Sequence, residues 1–171
     1  MWRILGWGGA VALVLTPLVA MQFTTEVNWE GADFIFATVI FGLAGCLIEL
    51  AVRLSSNWRH RFGSMFAILA GLMVIWTNLA VGMIGNEDNP VNLLFAAVLI
   101  VAILGAVLAR LHTHLMAGAM LFAGLIQAAI GLFAGVLGTD PRGGTFTIIL
   151  ASLWLISAVL FRIAGADQKS T

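Results

Sequence analysis

The chain has 171 residues, of which 61% are hydrophobic and only 9% are charged, whereas soluble globular domains carry roughly 45–50% apolar and about 25% charged residues. Because so few polar side chains cannot cover a water-exposed surface, the composition predicts an integral membrane protein. The formal net charge is zero, so there is no electrostatic reason to expect nucleic acid as a partner. A single cysteine, Cys46, excludes an intrachain disulfide and a cysteine-based metal cluster.

Six apolar runs follow one another along the chain, each close to the length of about 20 residues that a helix needs to cross a hydrocarbon core. The connections between the runs are short, and none could hold an independent domain. We therefore predict an all-α fold, an integral membrane helical bundle of six transmembrane helices, which forms a single domain over residues 1–171. The predicted helices cover residues 4–23, 34–54, 62–84, 91–109, 117–137 and 145–163.

The first run has an alternative interpretation as a signal peptide, with Ala20 as the cleavage residue. Leu18 is a poor fit to the small residue expected two positions before such a site. The run is also longer than the usual apolar core of about 7 to 15 residues in a signal peptide. We therefore favour a retained transmembrane helix.

The charges predict an orientation, because short basic loops remain in the cytoplasm. Seven of the eight basic residues lie in alternate gaps between the runs, and six of the eight acidic residues lie in the other gaps. This pattern predicts a multi-pass protein of the bacterial inner membrane with both termini in the cytoplasm. The basic set is Arg3, Arg53, Arg59, Arg61, Arg110, Arg162 and Lys169, and the acidic set is Glu26, Glu30, Asp33, Glu87, Asp88 and Asp140.

The second run contains Glu49, the one acidic residue well inside an apolar segment. An ionisable group at such a position is costly, which makes it a functional candidate by default. Arg53 follows four residues later on the same helix face, in the order that favours an ion pair. We favour a structural pair of Glu49 with Arg53, and we keep open a proton- or cation-handling carboxylate and a contact with a partner.

The loop after the third run is the second candidate site. Asn89 followed by Pro90 is typical of a helix start, and Glu87 and Asp88 would lie at the positive end of the helix dipole. The alternative is a polar mouth in which these carboxylates and Asn92 bind a hard cation, although the loop lacks EF-hand spacing. We favour the capping interpretation, and the two are compatible.

Small residues predict where helices meet, because close backbone packing must replace the hydrophobic effect in lipid. The fifth run carries a face with Gly124, Gly131 and Gly135, and Gln127 beside it is predicted to be an interhelical hydrogen-bond donor. We expect these faces to pack within the chain rather than in a dimer. The third run carries Ala67, Gly71, Asn78, Gly82 and Gly85, and the second carries Thr38, Gly42, Gly45, Glu49 and Arg53.

Two segments resemble a group of small, mostly proteobacterial multi-pass inner-membrane proteins. They are Glu-Leu-Ala-Val-Arg at 49–53 and Trp-Thr-Asn-Leu-Ala-Val-Gly-Met-Ile-Gly-Asn-Glu-Asp-Asn-Pro-Val-Asn-Leu at 76–93. The resemblance is clearest in the middle third of the chain, and it implies a membrane location and topology but no activity. Where that group has a basic Arg-x-Arg-Pro-Arg-like stretch, this chain has Arg110-Leu-His112-Thr-His114.

The sequence contains no phosphate-binding loop, nucleophile elbow or HExxH motif, so we predict no catalytic residue and no cofactor. His112 and His114 are two residues apart and would point to different helix faces, which disfavours a metal site. The predicted partners are the lipid bilayer and either another membrane protein or a second copy of the chain.

Two functions remain open at this stage. The first, which we favour, is a non-catalytic accessory or structural component that packs against other membrane proteins. The second is a small transporter-like or polar-ligand- or cation-binding bundle that uses Glu49, Asn78, Gln127 and the loop 87–92.

Overall fold

The computed structural model describes residues 2–110 and 112–167, so the predicted position of Lys169 lies outside the described residues. All regular elements in this part of the chain are helical, and six segments are long and apolar enough to cross a membrane, as predicted. A 3₁₀ turn, Pro90–Leu93, precedes α4. A π-helical segment, Gly131–Thr139, continues α5, and the backbone leaves helical geometry within it at Gly138 (φ −101°, ψ −128°). The α-helices are α1 Trp2–Ala20, α2 Gly31–Leu54, α3 Trp58–Ala80, α4 Leu94–Ala109, α5 Thr113–Ile130 and α6 Pro141–Asp167.

The chain divides into two compact units. Unit 1, Met1–Leu50, contains α1 and most of α2, whereas unit 2, Ala51–Thr171, contains α3 to α6. The predicted single domain stays a prediction.

Helix α3 begins at Trp58, four residues before the predicted start at Phe62. Asn57 caps it, because its side-chain oxygen accepts hydrogen bonds from the backbone N–H groups of Arg59 (2.9 Å) and His60 (3.4 Å). The prediction was wrong here because it followed hydropathy and so excluded the polar first turn, although an asparagine at this point is a typical helix start.

The other end of α3 also differs from the prediction. The helix ends at Ala80 instead of residue 84, because Gly82 has a φ of +76° just after the C-cap residue Val81. A glycine with positive φ at this position is a common way to end a helix. Gly82 and Gly85, which has a φ of +73°, therefore form a turn and do not belong to the small-residue face of α3.

Helix α6 begins at Pro141 instead of residue 145. Asp140 precedes the proline, and its Oδ1 accepts a hydrogen bond from the backbone N–H of Gly143 at 3.0 Å. This is the geometry of a helix N-cap followed by proline at the first helical position. The same pair of signals starts the 3₁₀ turn, where Asn89 Oδ1 accepts from the backbone N–H of Val91 at 3.0 Å, as the capping interpretation predicts.

Unit 2 is a bundle of antiparallel neighbours in which α3 packs on α6, α6 on α5 and α5 on α4. Its core combines small alanines with a few large side chains from all four helices. The fully or nearly buried core residues include Ala70, Val74, Phe95, Val98, Met120, Ala123, Trp154 and Phe161.

The bundle has a basic end and an acidic end. At the basic end the start of α3 lies against the end of α6, since the rings of His60 and Phe161 have centroids 5.1 Å apart. The end of α6 also reaches the start of α5, where a Cβ at Gly165 would lie 2.7 Å from Thr113 Oγ1. We call this region, with Arg59, Arg61, Arg110 and Arg162, the basic end, and the opposite region, with Glu87, Asp88, Asp140 and Arg142, the acidic end.

Candidate functional site

In unit 1, Glu49 forms an ion pair with Arg3. The two residues come from opposite ends of the sequence of the unit, one from the first turn of α1 and the other from near the end of α2. The side chain of Glu49 is 20% exposed, and that of Arg3 is 49% exposed. Sequence reasoning singled out Arg53, which lies one turn further along α2, and overlooked Arg3. No local sequence signal pointed to Arg3, because its contact with Glu49 depends on how α1 lies against α2.

A contact between an aromatic ring and a glycine holds the two helices of unit 1 together. A Cβ at Gly45 would lie 3.0 Å from Cη2 of Trp7, so the glycine leaves room for the indole ring. Beside this contact lies a shallow apolar groove of about 260 Å³. It is lined by Trp7, Ala10, Val11, Val14, Leu15, Thr38 and Gly42.

At the acidic end of unit 2, Asn92 organises the loop between α3 and α4. Its side chain is buried, with 4% of the residue exposed. Asn92 Oδ1 accepts from the backbone N–H groups of Met83 (3.1 Å) and Ile84 (2.9 Å), and Nδ2 donates to the carbonyls of Ile84 (3.3 Å) and Asn86 (2.6 Å). The side-chain amide thus supplies hydrogen bonds to backbone groups of the turn that have no partner within a helix. All of these contacts are structural.

Asp140 joins the same loop to α6. Its Oδ2 accepts from the backbone N–H of Gly85 at 2.9 Å, while Oδ1 caps α6 through Gly143. The hydrogen bonds from Gly143 and Gly85 hold the pKa of the Asp140 carboxyl below its usual range, and the positive charge of Arg142 acts in the same direction. Sequence reasoning treated Asp140 only as a topology marker, although the dipeptide Asp140-Pro141 repeats the signal of Asn89-Pro90.

Gln127 is fully buried in α5 and links it to α6. Its Nε2 donates to the carbonyl of Thr147 at 3.1 Å, which is the interhelical hydrogen bond expected from the sequence. Its Oε1 accepts from Nε1 of Trp154 at 2.8 Å. Thr147 in turn donates from Oγ1 to the carbonyl of Met83 at 3.5 Å, so the network continues into the loop.

Three glycines of α5 and of the π-helical segment that continues it lie in the contact with α6. A Cβ at Gly124 would lie 2.9 Å from Leu155 Cδ2, and one at Gly131 would lie 2.8 Å from the carbonyl oxygen of Gly144. Gly135 also lies against Gly144, where a Cβ would meet the backbone N at 2.7 Å. This close approach coincides with the π-helical segment and accounts for the predicted small-residue face by packing inside the chain.

Sequence reasoning set His60 aside as a metal ligand, because Arg59 and Arg61 flank it and would repel a cation, and it did not predict that this histidine is buried at the basic end. His60 is 3% exposed and packs edge-on against Phe161. Next to it, Ser157 Oγ donates to the carbonyl of Gly63 at 2.7 Å. Extending the α3 face of Ala67 and Gly71 back by two turns at helical spacing would have found His60.

The remaining candidates do not converge on one site. Glu49 lies in unit 1 and Asn78 in unit 2, and Glu87 and Asp88 are exposed on the loop. Nδ2 of Asn78 donates to the carbonyl of Asn92 at 3.3 Å, while its Oδ1 is buried with no hydrogen-bond partner among the described residues. Within the described part of the chain, no group of three His, Cys, Asp or Glu side chains could hold a metal ion.

Comparisons with known proteins give no relative from which a role for these residues could be inferred. No protein-family model, no curated protein and no solved structure matches the chain.

Proposed function

We propose that this chain is a non-catalytic accessory or structural component of a bacterial inner membrane, where it packs against another membrane protein. The supporting observation is a contrast between glycines. In unit 1, a Cβ at Gly6, Gly8, Gly9 or Gly42 would meet nothing within 4 Å. The glycines of the α5–α6 contact instead lie directly against neighbouring backbone or side chains.

The open glycines matter because glycine lowers helix stability by roughly 1 kcal/mol relative to alanine in a helix interior. Packing against another helix is the usual compensation in a membrane, since small residues allow backbones to approach closely. At Gly124, Gly131 and Gly135 that compensation comes from α6. In α1, where three glycines lie within four positions, we propose that a partner helix provides it.

The polar side chains of unit 2 support a structural role rather than transport. Asn92, Asp140 and Gln127 each make at least two hydrogen bonds inside the chain. A coupling-ion site would need several such oxygens to converge on one point. The proposed orientation has both termini and the basic end of unit 2 on the cytoplasmic side, because seven basic residues follow the positive-inside pattern.

Native mass spectrometry of the protein extracted together with its surrounding lipid tests the proposal, because it reports partner mass and stoichiometry together. The wild type is expected as a complex, either with a second protein or with another copy of the chain. The double variant Gly6→Leu with Gly9→Leu should be found alone, while Gly118→Leu, another glycine with open space, should keep the complex. A wild type found only as a monomer would contradict the proposal.

A second candidate, a polar-ligand- or cation-binding bundle, is favoured by one observation, the unpartnered Oδ1 of Asn78. A buried acceptor without a donor costs stability unless a ligand or water satisfies it. If a cation is bound there, adding K⁺, Mg²⁺ or Ca²⁺ should raise the melting temperature of the wild type but not of Asn78→Leu. Equal responses of the two proteins would exclude this candidate.

A further inference from the structure

We propose that the basic end of unit 2 binds the phosphate of an anionic phospholipid headgroup through Arg61, Arg110 and Arg162. These arginines come from three separate places in the sequence and are brought to one end of the bundle by the packing of α3, α5 and α6. None of the three forms an ion pair with an acidic side chain in the described part of the chain.

The fold brings the arginines together through two contacts. His60 packs on Phe161, so the residues that follow them, Arg61 and Arg162, lie at the same junction of α3 and α6. The close approach of Gly165 to Thr113 places the start of α5, three residues after Arg110, beside the end of α6.

The guanidinium groups of the three arginines have N–H donors that remain available for a ligand. Arg110 and Arg162 are exposed, and Arg61 is partly buried. The Nε of Arg61 donates to the carbonyl of Ser55 at 2.6 Å. That bond fixes the guanidinium group while leaving its terminal nitrogens as donors. Two parallel N–H donors on a guanidinium match the oxygens of a phosphate.

The surroundings favour a lipid over a soluble anion or an acidic protein. The connections 55–57 and 110–112 are three residues each, so the arginines stay at the ends of membrane-length helices, where headgroup phosphates lie. Trp58 is 56% exposed at this level, and Arg59 lies 5.1 Å from its ring centroid. Tryptophan and arginine are typical of the boundary between hydrocarbon and headgroups.

Acidic residues are scarce at this end. Of the acidic residues of unit 2, Glu87, Asp88 and Asp140 belong to the acidic end, and Asp167 is the last residue of α6. The formal charges of Asp167 and Lys169 cancel, which leaves the charges of the arginines at the basic end. The basic end therefore presents a net positive surface to the membrane.

The test is lipid retention measured by native mass spectrometry of the full chain in nanodiscs. The discs contain phosphatidylcholine with added phosphatidylglycerol, or phosphatidylcholine with added phosphatidylethanolamine as the zwitterionic arm. Each arginine near an anionic surface strengthens binding roughly fivefold. Arg61→Gln, Arg110→Gln and Arg162→Gln should each lower phosphatidylglycerol retention by about that factor, and the triple variant on the order of a hundredfold.

Three controls separate this proposal from its alternatives. Arg142→Gln removes the exposed arginine of the acidic end and should leave retention unchanged. The triple Arg→Lys variant keeps the charge but loses the paired guanidinium donors, so its phosphatidylglycerol retention should fall between that of the wild type and that of the triple Gln variant. Added inorganic phosphate should not displace the lipid if the membrane-anchored headgroup is the ligand.

Three results would overturn the proposal. The first is an equal loss of phosphatidylglycerol retention in Arg142→Gln and in the basic-end variants. The second is equal retention of phosphatidylethanolamine and phosphatidylglycerol by the wild type. The third is full competition by inorganic phosphate, which would assign the site to a soluble anion.

Discussion

Trp154 donates its indole N–H to Gln127 Oε1 at 2.8 Å in the interior of unit 2, where both residues are at most 2% exposed. Gln127 uses its other end to reach the carbonyl of Thr147. One glutamine thereby satisfies a buried donor and a backbone acceptor on the neighbouring helix. Hydrogen bonds of this kind contribute about 0.6 kcal/mol on average between membrane helices, and up to about 1.7 kcal/mol.

Gln127→Leu should therefore lower the free energy of unfolding by about 1 to 3 kcal/mol, because it strands the buried N–H of Trp154. The double variant Gln127→Leu with Trp154→Phe should lose less than the sum of the two single variants. Reversible unfolding in mixed micelles gives the free energy of unfolding of the wild type, the two single variants and the double variant. Strict additivity would show that the two side chains do not interact.

The glycine contact between α5 and α6 makes a second prediction. Gly144→Ala should destabilise unit 2 by about 1 to 3 kcal/mol through overpacking, because a Cβ there would run into the backbone of the π-helical segment. Gly118→Ala, also in a helix but with open space around it, should be neutral or slightly stabilising. The comparison is made by thermal unfolding. Equal melting temperatures for the two variants would mean that the helices are further apart than described.

Much of this fold can be predicted from the sequence, because the length of an apolar run reports directly on the membrane that surrounds it. The six helices and the cap at Asn89 follow from local patterns of this kind. The first residues of α3 and α6 could not be placed by hydropathy. The residues that cap these helix starts, Asn57 and Asp140, are polar and fall outside the apolar windows.

Contacts between residues distant in the sequence were harder to predict. The pairing of Glu49 with Arg3 depends on how α1 lies against α2, which no local spacing encodes. The role of Trp154 as partner of Gln127 has the same origin, because a tryptophan inside an apolar run gives no sign of where its N–H points. The π-helical segment likewise coincides with the close approach of Gly131 and Gly135 to Gly144, a contact between residues that are distant in the sequence.

Asp140 should make stability depend on pH in acid. Its folded-state pKa is lowered from 3.8 by the hydrogen bonds from Gly143 and Gly85, so the unfolded chain binds a proton more readily than the folded one. The contribution of the Asp140 carboxylate to the free energy of unfolding is fully present above the pKa of this group in the unfolded chain. It is lost as the pH falls through its pKa in the folded chain. Unfolding measured below about pH 5 should show a smaller pH dependence in Asp140→Asn than in wild type. Asp88→Asn, on the adjoining loop, controls for the change in net charge, and an unchanged acid limb in Asp140→Asn would contradict the assignment.

The ion pair in unit 1 predicts that removing both charges lowers stability less than removing the carboxylate alone. Glu49→Gln leaves Arg3 without this carboxylate near the hydrocarbon, and breaking a buried or half-buried pair from one side costs more than removing both charges. Glu49→Gln with Arg3→Gln should therefore be more stable than Glu49→Gln alone. The parallel double variant with Arg53→Gln shows which arginine depends more on the carboxylate. If neither double variant recovers stability, Glu49 does not serve a structural pair.

Site-specific photocrosslinking in the native membrane tests the proposed partner face of α1 most directly. A photoreactive amino acid at Gly9, which has open space around it, should give one discrete crosslinked product that contains a second polypeptide. The same amino acid at Phe133, which is 68% exposed on unit 2, should give only diffuse lipid adducts. Lipid adducts alone at both positions, or a crosslink from Gly9 to unit 2 of the same chain, would contradict the account.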